Sequence, residues 1–169
     1  MNDAPDSRIS VQRAPRDFQQ WEHLLELLRA AFANQEHRIN PPSSVYALGA
    51  GSLAEKSSQE HLFVATVASD LAGCVFALDR PSLLHVSKLA VWPHLQGRGI
   101  GRRLMNAVEA FARESDRTVL ELETRIELDE NHRTFEALGF SRVSEHAHEG
   151  YDHPTYIRMR RFLGAVPGA

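Results

Sequence analysis

The chain has 169 residues, 43% of them hydrophobic and 24% charged, with a formal net charge of -3. That length suits one domain with a real core, expected to run from residue 1 to 169 with flexible ends at 1–7 and 164–169. The charge gives no basic field for nucleic acid, no apolar run reaches the ~20 residues of a membrane span, and a lone cysteine, Cys74, excludes an internal disulfide.

Met1 to Ser7 carries Asp3 and Asp6 and no apolar core, so it does not read as a secretory leader, and a cytoplasmic location is expected. Ile9 and Val11 alternate with polar residues and predict a first strand. From Arg16 to Ala33, Phe18, Trp21, Leu25, Leu28 and Phe32 fall three or four apart and predict a helix with one apolar stripe. A short helical piece is expected over Ser43 to Leu48. His61 to Ala68, Leu71 to Leu78 and Leu83 to Trp92 are predicted strands, separated by turns at Ser69-Asp70 and Asp79 to Ser82. Gly73 is a weak point in the second of these, and Cys74 reads there as a small buried hydrophobe.

A helix is predicted from Gly99, with Ile100, Leu104, Val108 and Phe111 on its apolar face. Thr118 to Leu122 reads as a strand and Asp129 to Leu138 as a helix stopped by Gly139. Phe140 to Ser144 and Thr155 to Phe162 are the last predicted strands. A meander followed by βαβ units implies an α/β (α+β) fold: a mixed, mostly antiparallel sheet of about six to seven strands with helices on both faces.

The informative segment is Leu89 to Leu104. A strand ends, a glycine-rich turn follows, and an amphipathic helix begins. Glycines let backbone amides approach a ligand, and a helix start has unpaired donors and partial positive charge. Together they make a diphosphate cradle, with Arg98, Arg102 and Arg103 beside it. The dinucleotide pattern Gly-x-Gly-x-x-Gly fails here at Arg102, and the Gly-Lys-Ser/Thr of a P-loop is absent. What fits is Gln96-Gly97-Arg98-Gly99-Ile100-Gly101.

In that motif the chain resembles the GNAT superfamily of N-acetyltransferases. Leu89-Ala90-Val91 before Pro93, and Asn131 through Leu138-Gly139-Phe140, resemble two further family elements. The likeness covers about Ile9 to Arg160. It implies a sheet splayed between the fourth and fifth strands and acetyl-CoA as co-substrate, with no metal. Leu89, Ala90 and Val91 would border the pantetheine arm, with the backbones of Leu89 and Val91 pairing like an added strand. Gln96 and the amides of Gly97, Arg98, Gly99, Ile100, Gly101 and Arg102 would hold the pyrophosphate. Asn131 would contact the arm from across the cleft, beside Phe135. Many relatives carry a tyrosine at the Phe135 position to protonate the leaving thiolate. Phenylalanine cannot, and Tyr151 or Tyr156 are the hydroxyls at hand.

The chemistry requires an alkylamine of pKa ~10.4 to lose a proton before it attacks. Glu121 and Glu123 share one strand face, and either could relay that proton through water; His85 is a further candidate. The competing reading of the two glutamates is a set of structural ion pairs. His146, His148 and His153, with Glu149 and Asp152, raise zinc as an alternative to a polar loop. The expected function is N-acetyl transfer to a small-molecule or peptide amine, and a homodimer is compatible with exposed edge strands. A non-catalytic acyl-CoA sensor is the alternative that Phe135 keeps open.

Overall fold

A computed structural model describes residues 8–164; of the flexible ends expected at 1–7 and 164–169, all but Gly164 lie outside them. Seven strands form one sheet in the order β1-β2-β3-β4-β5-β7-β6. They are β1 (Ile9–Arg13), β2 (His61–Val67), β3 (Asp70–Asp79), β4 (Leu83–Val91), β5 (Val119–Arg125), β6 (Ser141–His146) and β7 (Tyr156–Phe162). Only β4 and β5 pair in parallel; every other neighbour is antiparallel. The helices are α1 (Trp21–Phe32), α2 (Ala50–Gln59), α3 (Ile100–Glu114) and α4 (Asp129–Ala137). The mixed sheet with helices on both faces is the one the sequence predicts.

Alternation along the strands sorts the core into two layers. Leu84, Val86, Leu120 and Leu122 point to the face covered by α3, where Ile100, Leu104, Met105 and Val108 complete a fully buried cluster. Leu62, Val64, Cys74 and Phe76 point to the other face and meet Leu24, Leu25, Leu27 and Leu28 of α1. Burying such a side chain contributes roughly 1.5–3 kcal/mol. The one-sided leucines of α1 are why its helical stripe is legible.

The differences from expectation lie at element ends and in α2. The helix expected from Arg16 begins at Trp21. Ser43 to Leu48 forms a 3-10 turn over Ser44–Ala47, followed by α2, which the sequence reading did not include. That helix buries only Leu53, so no apolar stripe announces it. At Ala68-Ser69 both residues take positive φ (50° and 76°), the geometry of a tight hairpin turn. At Gly73 the β2–β3 register shifts, as expected of a weak point, and the backbone is also closely approached: a Cβ there would sit 2.8 Å from Ala90 O and 3.1 Å from Leu104 Cδ1.

Candidate active site

The site starts where two strands stop pairing. β4 and β5 are in register from Leu83↔Val119 to Val86↔Leu122, and no further. Beyond that point β4 carries an irregularity between Ser87 and Ala90, with Lys88 at φ 54°. A cleft of about 1010 Å³ opens there, running from Pro41–Ser44 to the start of α3. The phase of the β3–β4 ladder shows what β4 offers the cleft. Trp92 N–H donates to Ala72 O at 3.0 Å, and Ala90 pairs with Cys74. Antiparallel pairing alternates, so the amides of Leu89 and Val91 turn away from β3, toward the gap. Ala90 lines the cleft but turns its amide to β3.

Beyond β4 the chain makes a short 3-10 turn at Pro93–Leu95 and enters the glycine turn. Gln96 Nε2 donates back to Val91 O at 3.3 Å, tying turn to strand. Gly97 and Gly99 take φ of 80° and 79°, a region only glycine occupies cheaply. Gly99 is the N-cap of α3 and no side chain caps it. The first helical amide to bond within the helix there is Arg103 N–H, to Gly99 O at 3.1 Å. The preceding amides of Ile100, Gly101 and Arg102 have no intrahelical acceptor. A Cβ built at Gly97, Gly99 or Gly101 would meet nothing within 4 Å, so the turn is a bare concavity. Its position is fixed: Ile100 is buried in the core, and Arg103 Nη1 donates to Ile9 O at 3.0 Å. On the opposite wall α4 presents Asn131 and Phe135, the latter set edge-on to Phe140 at 6.1 Å between centroids.

The sequence and the fold both have counterparts among known proteins. Residues 21–140 match the model of the Acetyltransferase (GNAT) family, which is most of the chain. The chain belongs to the GNAT acetyltransferase family. No curated protein sequence matches it. Solved structures share its fold at low identity. An acetyltransferase from Streptococcus agalactiae is 15% identical, with a TM-score of 0.72 over 93% of this chain and 99% of that one. The Salmonella typhimurium protein solved with its cofactor acetyl-CoA is also 15% identical, with a TM-score of 0.70 over 95% and 97%. A spermidine N-acetyltransferase chimera from Vibrio cholerae and hSSAT is 16% identical, with a TM-score of 0.69 over 93% and 96%.

In this GNAT acetyltransferase the acidic pair belongs to a charged ladder. Glu121 is buried and pairs with His85 across the sheet; His85 Nδ1 and Glu121 Oε1 are 3.2 Å apart. Arg160 Nε and Nη2 both lie 2.8 Å from Glu121 Oε2. Burial opposes the charge on Glu121, but the hydrogen bonds from Arg160 and His85, with Arg158 nearby, outweigh it and hold the carboxyl below its ordinary value. Glu123 accepts from Arg158 Nη2 at 2.8 Å and lines the large cleft, whereas Glu121 lines only a smaller neighbouring hollow of about 340 Å³. His85 borders both.

The far end of the cleft holds residues that sequence reasoning did not single out. Lys88 Nζ donates to Ser44 Oγ at 2.8 Å, and burial followed by the charges of Lys56 and Arg125 holds it below its ordinary value. Arg125, at the end of β5, donates through Nη2 to Pro42 O at 3.0 Å. No motif marks these two, because their placement depends on where the strands part. Tyr156 lines the same end, stacked on His146 at 5.3 Å, whereas the Tyr151 hydroxyl donates to Asn40 Oδ1 at 2.7 Å. The histidines raised for zinc find other partners: Ser144 for His146, Thr155 for His148 and Asp152 for His153. Among the described residues no three His, Cys, Asp or Glu side chains group to hold a metal, and no helix is long and apolar enough to cross a membrane.

Proposed function

We propose that this protein is an acetyl-CoA-dependent N-acetyltransferase in which a primary amine attacks the thioester directly. One observation carries the reading: the gap past Val86 and Leu122 leads straight to the bare turn at Gly97–Gly101. The slot suits an extended amide-bearing arm, which the Leu89 and Val91 backbones bond as a strand would be bonded. The cradle suits the pyrophosphate at the end of that arm, through the amides from Gly97 to Arg102. Asn131 and Phe135 bound the arm on the α4 side. The Salmonella typhimurium structure, which holds acetyl-CoA on the same fold, supports this assignment.

In this reading the Val91 amide turns from the arm to the oxyanion that forms when the amine attacks, and the Leu89 amide remains to pair with the arm. A fixed backbone donor of this kind is worth about 10²–10³ in rate. Position along the strands separates the candidate bases. Glu123 stands one residue past the last β4–β5 pair, and a strand rises roughly 3.3 Å per residue. By that measure Glu123 lies roughly 13 Å from Val91 and His85 and Glu121 roughly 20 Å, so Glu123 is the nearest of the three and its relay runs through more than one water. Glu123 draws in the ammonium and takes its proton through water. Phe135 donates nothing, and a thiol of pKa ~8.5 departs without a phenol's help.

The test is thiol release from acetyl-CoA in the presence of a panel of primary amines. Turnover with at least one amine, and acetylated product by mass, supports the enzyme. Micromolar CoA binding without turnover on any amine would instead make the protein an acyl-CoA sensor, the reading that Phe135 favours.

A further inference from the structure

The far end of the cleft is rich in donors and cations, and among the described residues no carboxylate is hydrogen-bonded to Arg125 or Lys88, although Glu127 lies close enough to act on Arg125 and Glu60 on Lys88. Arg125 Nη1 and Ser87 Oγ are shielded from solvent and have no hydrogen-bond partner among the described residues. Both residues line the cleft, Ser87 on β4 and Arg125 on β5, one on either side of the gap. A buried guanidinium N–H left unpaired is costly, and such orphans in a folded protein call for an acceptor from outside. Lys88 follows Ser87 on β4, and among the described residues its Nζ is hydrogen-bonded only to the neutral Ser44 hydroxyl. Burial holds both cations below their ordinary values; the charges of Lys56 and Arg125 add to it at Lys88, while Glu127 and Tyr151 oppose it at Arg125. An anion at this spot would reverse those penalties. The nearest acid on the strand, Glu123, is already bonded to Arg158.

From this we infer that the acceptor carries a carboxylate as well as its amine, and that Arg125, with Ser87 and Lys88, receives the carboxylate while Glu123 faces the ammonium. The inference rests on the N-acetyltransferase reading above. Glu123 and Arg125 lie on one face of β5, two residues and roughly 6.6 Å apart. That opposite-charge pair matches a compact zwitterion of amino-acid type, head to tail. Guanidinium forms paired, directional bonds to carboxylate, which a primary amide cannot fully replace.

The experiment compares matched acceptors with free acetyl-CoA: a set of amino acids and, for each, the amide in which –COO⁻ has become –CONH₂. Short peptides with free or amidated C-termini form a second arm, separating a free amino acid from a chain end. The expected kcat/KM for acid over amide is about ten- to a hundredfold, the scale of one charge-assisted contact to a buried cation. Arg125→Gln should collapse that ratio toward one, chiefly through KM, and Arg125→Lys should restore part of it. Ser87→Ala, a small change that leaves the Pro42 contact in place, should lower the ratio less. Equal turnover of acids and amides by the unaltered protein would overturn the inference and leave the acetyltransferase standing. So would a ratio that survives both Arg125→Gln and Ser87→Ala. No turnover of any amine would remove both readings together.

Discussion

Val86 of β4 stands opposite Leu122 of β5, and it is the last residue that does. Both side chains are buried beneath α3, so the strands are clamped up to that pair and released just after it. The proposed chemistry occupies the first residues beyond the clamp.

Gly101 tests the cradle without disturbing the turn. Its φ is not positive, and a Cβ there meets open space, so Gly101→Val should fold. Calorimetric titration should show CoA affinity reduced by at least about tenfold, because the branched side chain occupies the volume a diphosphate needs. Gly99→Val should do the same and also lose about 1–2 kcal/mol of stability, since φ is 79° there. Unchanged CoA affinity in folded Gly101→Val would place the diphosphate elsewhere.

Gly73→Ala should be destabilising by roughly 1–3 kcal/mol through overpacking, a loss readable by chemical denaturation. Its new Cβ would press on Ala90 O, Leu104 and Ile100, the atoms that seat α3 on the sheet. The change should also weaken CoA binding, because the cradle is the first turn of that helix.

Glu121 and Glu123 should separate cleanly. Glu123→Gln should lower kcat/KM by at least about 10²-fold, most severely at low pH, with CoA affinity near that of the parent. A pH–rate profile matching the parent's would remove Glu123 from the proton path.

Glu121→Gln should act on stability. A carboxyl whose folded pKa lies below its unfolded value of ~4.3 stabilises the fold above that value. Its contribution is lost as pH falls through the lowered pKa. The stability difference between parent and Glu121→Gln should therefore be full at neutral pH, roughly 1–3 kcal/mol, and vanish in strong acid. Urea titrations at several pH values measure it. A difference that persisted at acid pH would mean the loss comes from packing.

The Cys74 thiol is buried, and burial pushes its pKa up to about 12. It should resist alkylation in the native protein and react fully only in denaturant, as thiol titration would show. Rapid native labelling would indicate that the β3 layer opens.

The sequence made the glycine turn legible because its requirements are local: a strand end, glycines at Gly97 and Gly99, and an amphipathic helix behind them. The layering of the sheet was legible through alternation in β4 and the start of β5. The termination of pairing was legible only through the family likeness, which implied a splay between the fourth and fifth strands; in the residues themselves Leu122, Glu123 and Thr124 continue a good strand pattern and nothing signals a lost neighbour. The kink at Lys88 was equally silent, since no glycine or proline marks it. Arg125, Ser87 and Lys88 become a set only once the two strands part, and Glu121 becomes a structural charge only once β7 brings Arg158 and Arg160 alongside.

The seven-stranded sheet is held together across its middle by four registered residue pairs, from Leu83↔Val119 to Val86↔Leu122. Strands β1 to β4 lie on one side of that short seam and β5 to β7 on the other. Any rocking of one half against the other must pivot there, and it would widen or narrow the mouth at the distal end. The same few side chains that knit the domain thus also set the width of the mouth that the proposed reaction requires.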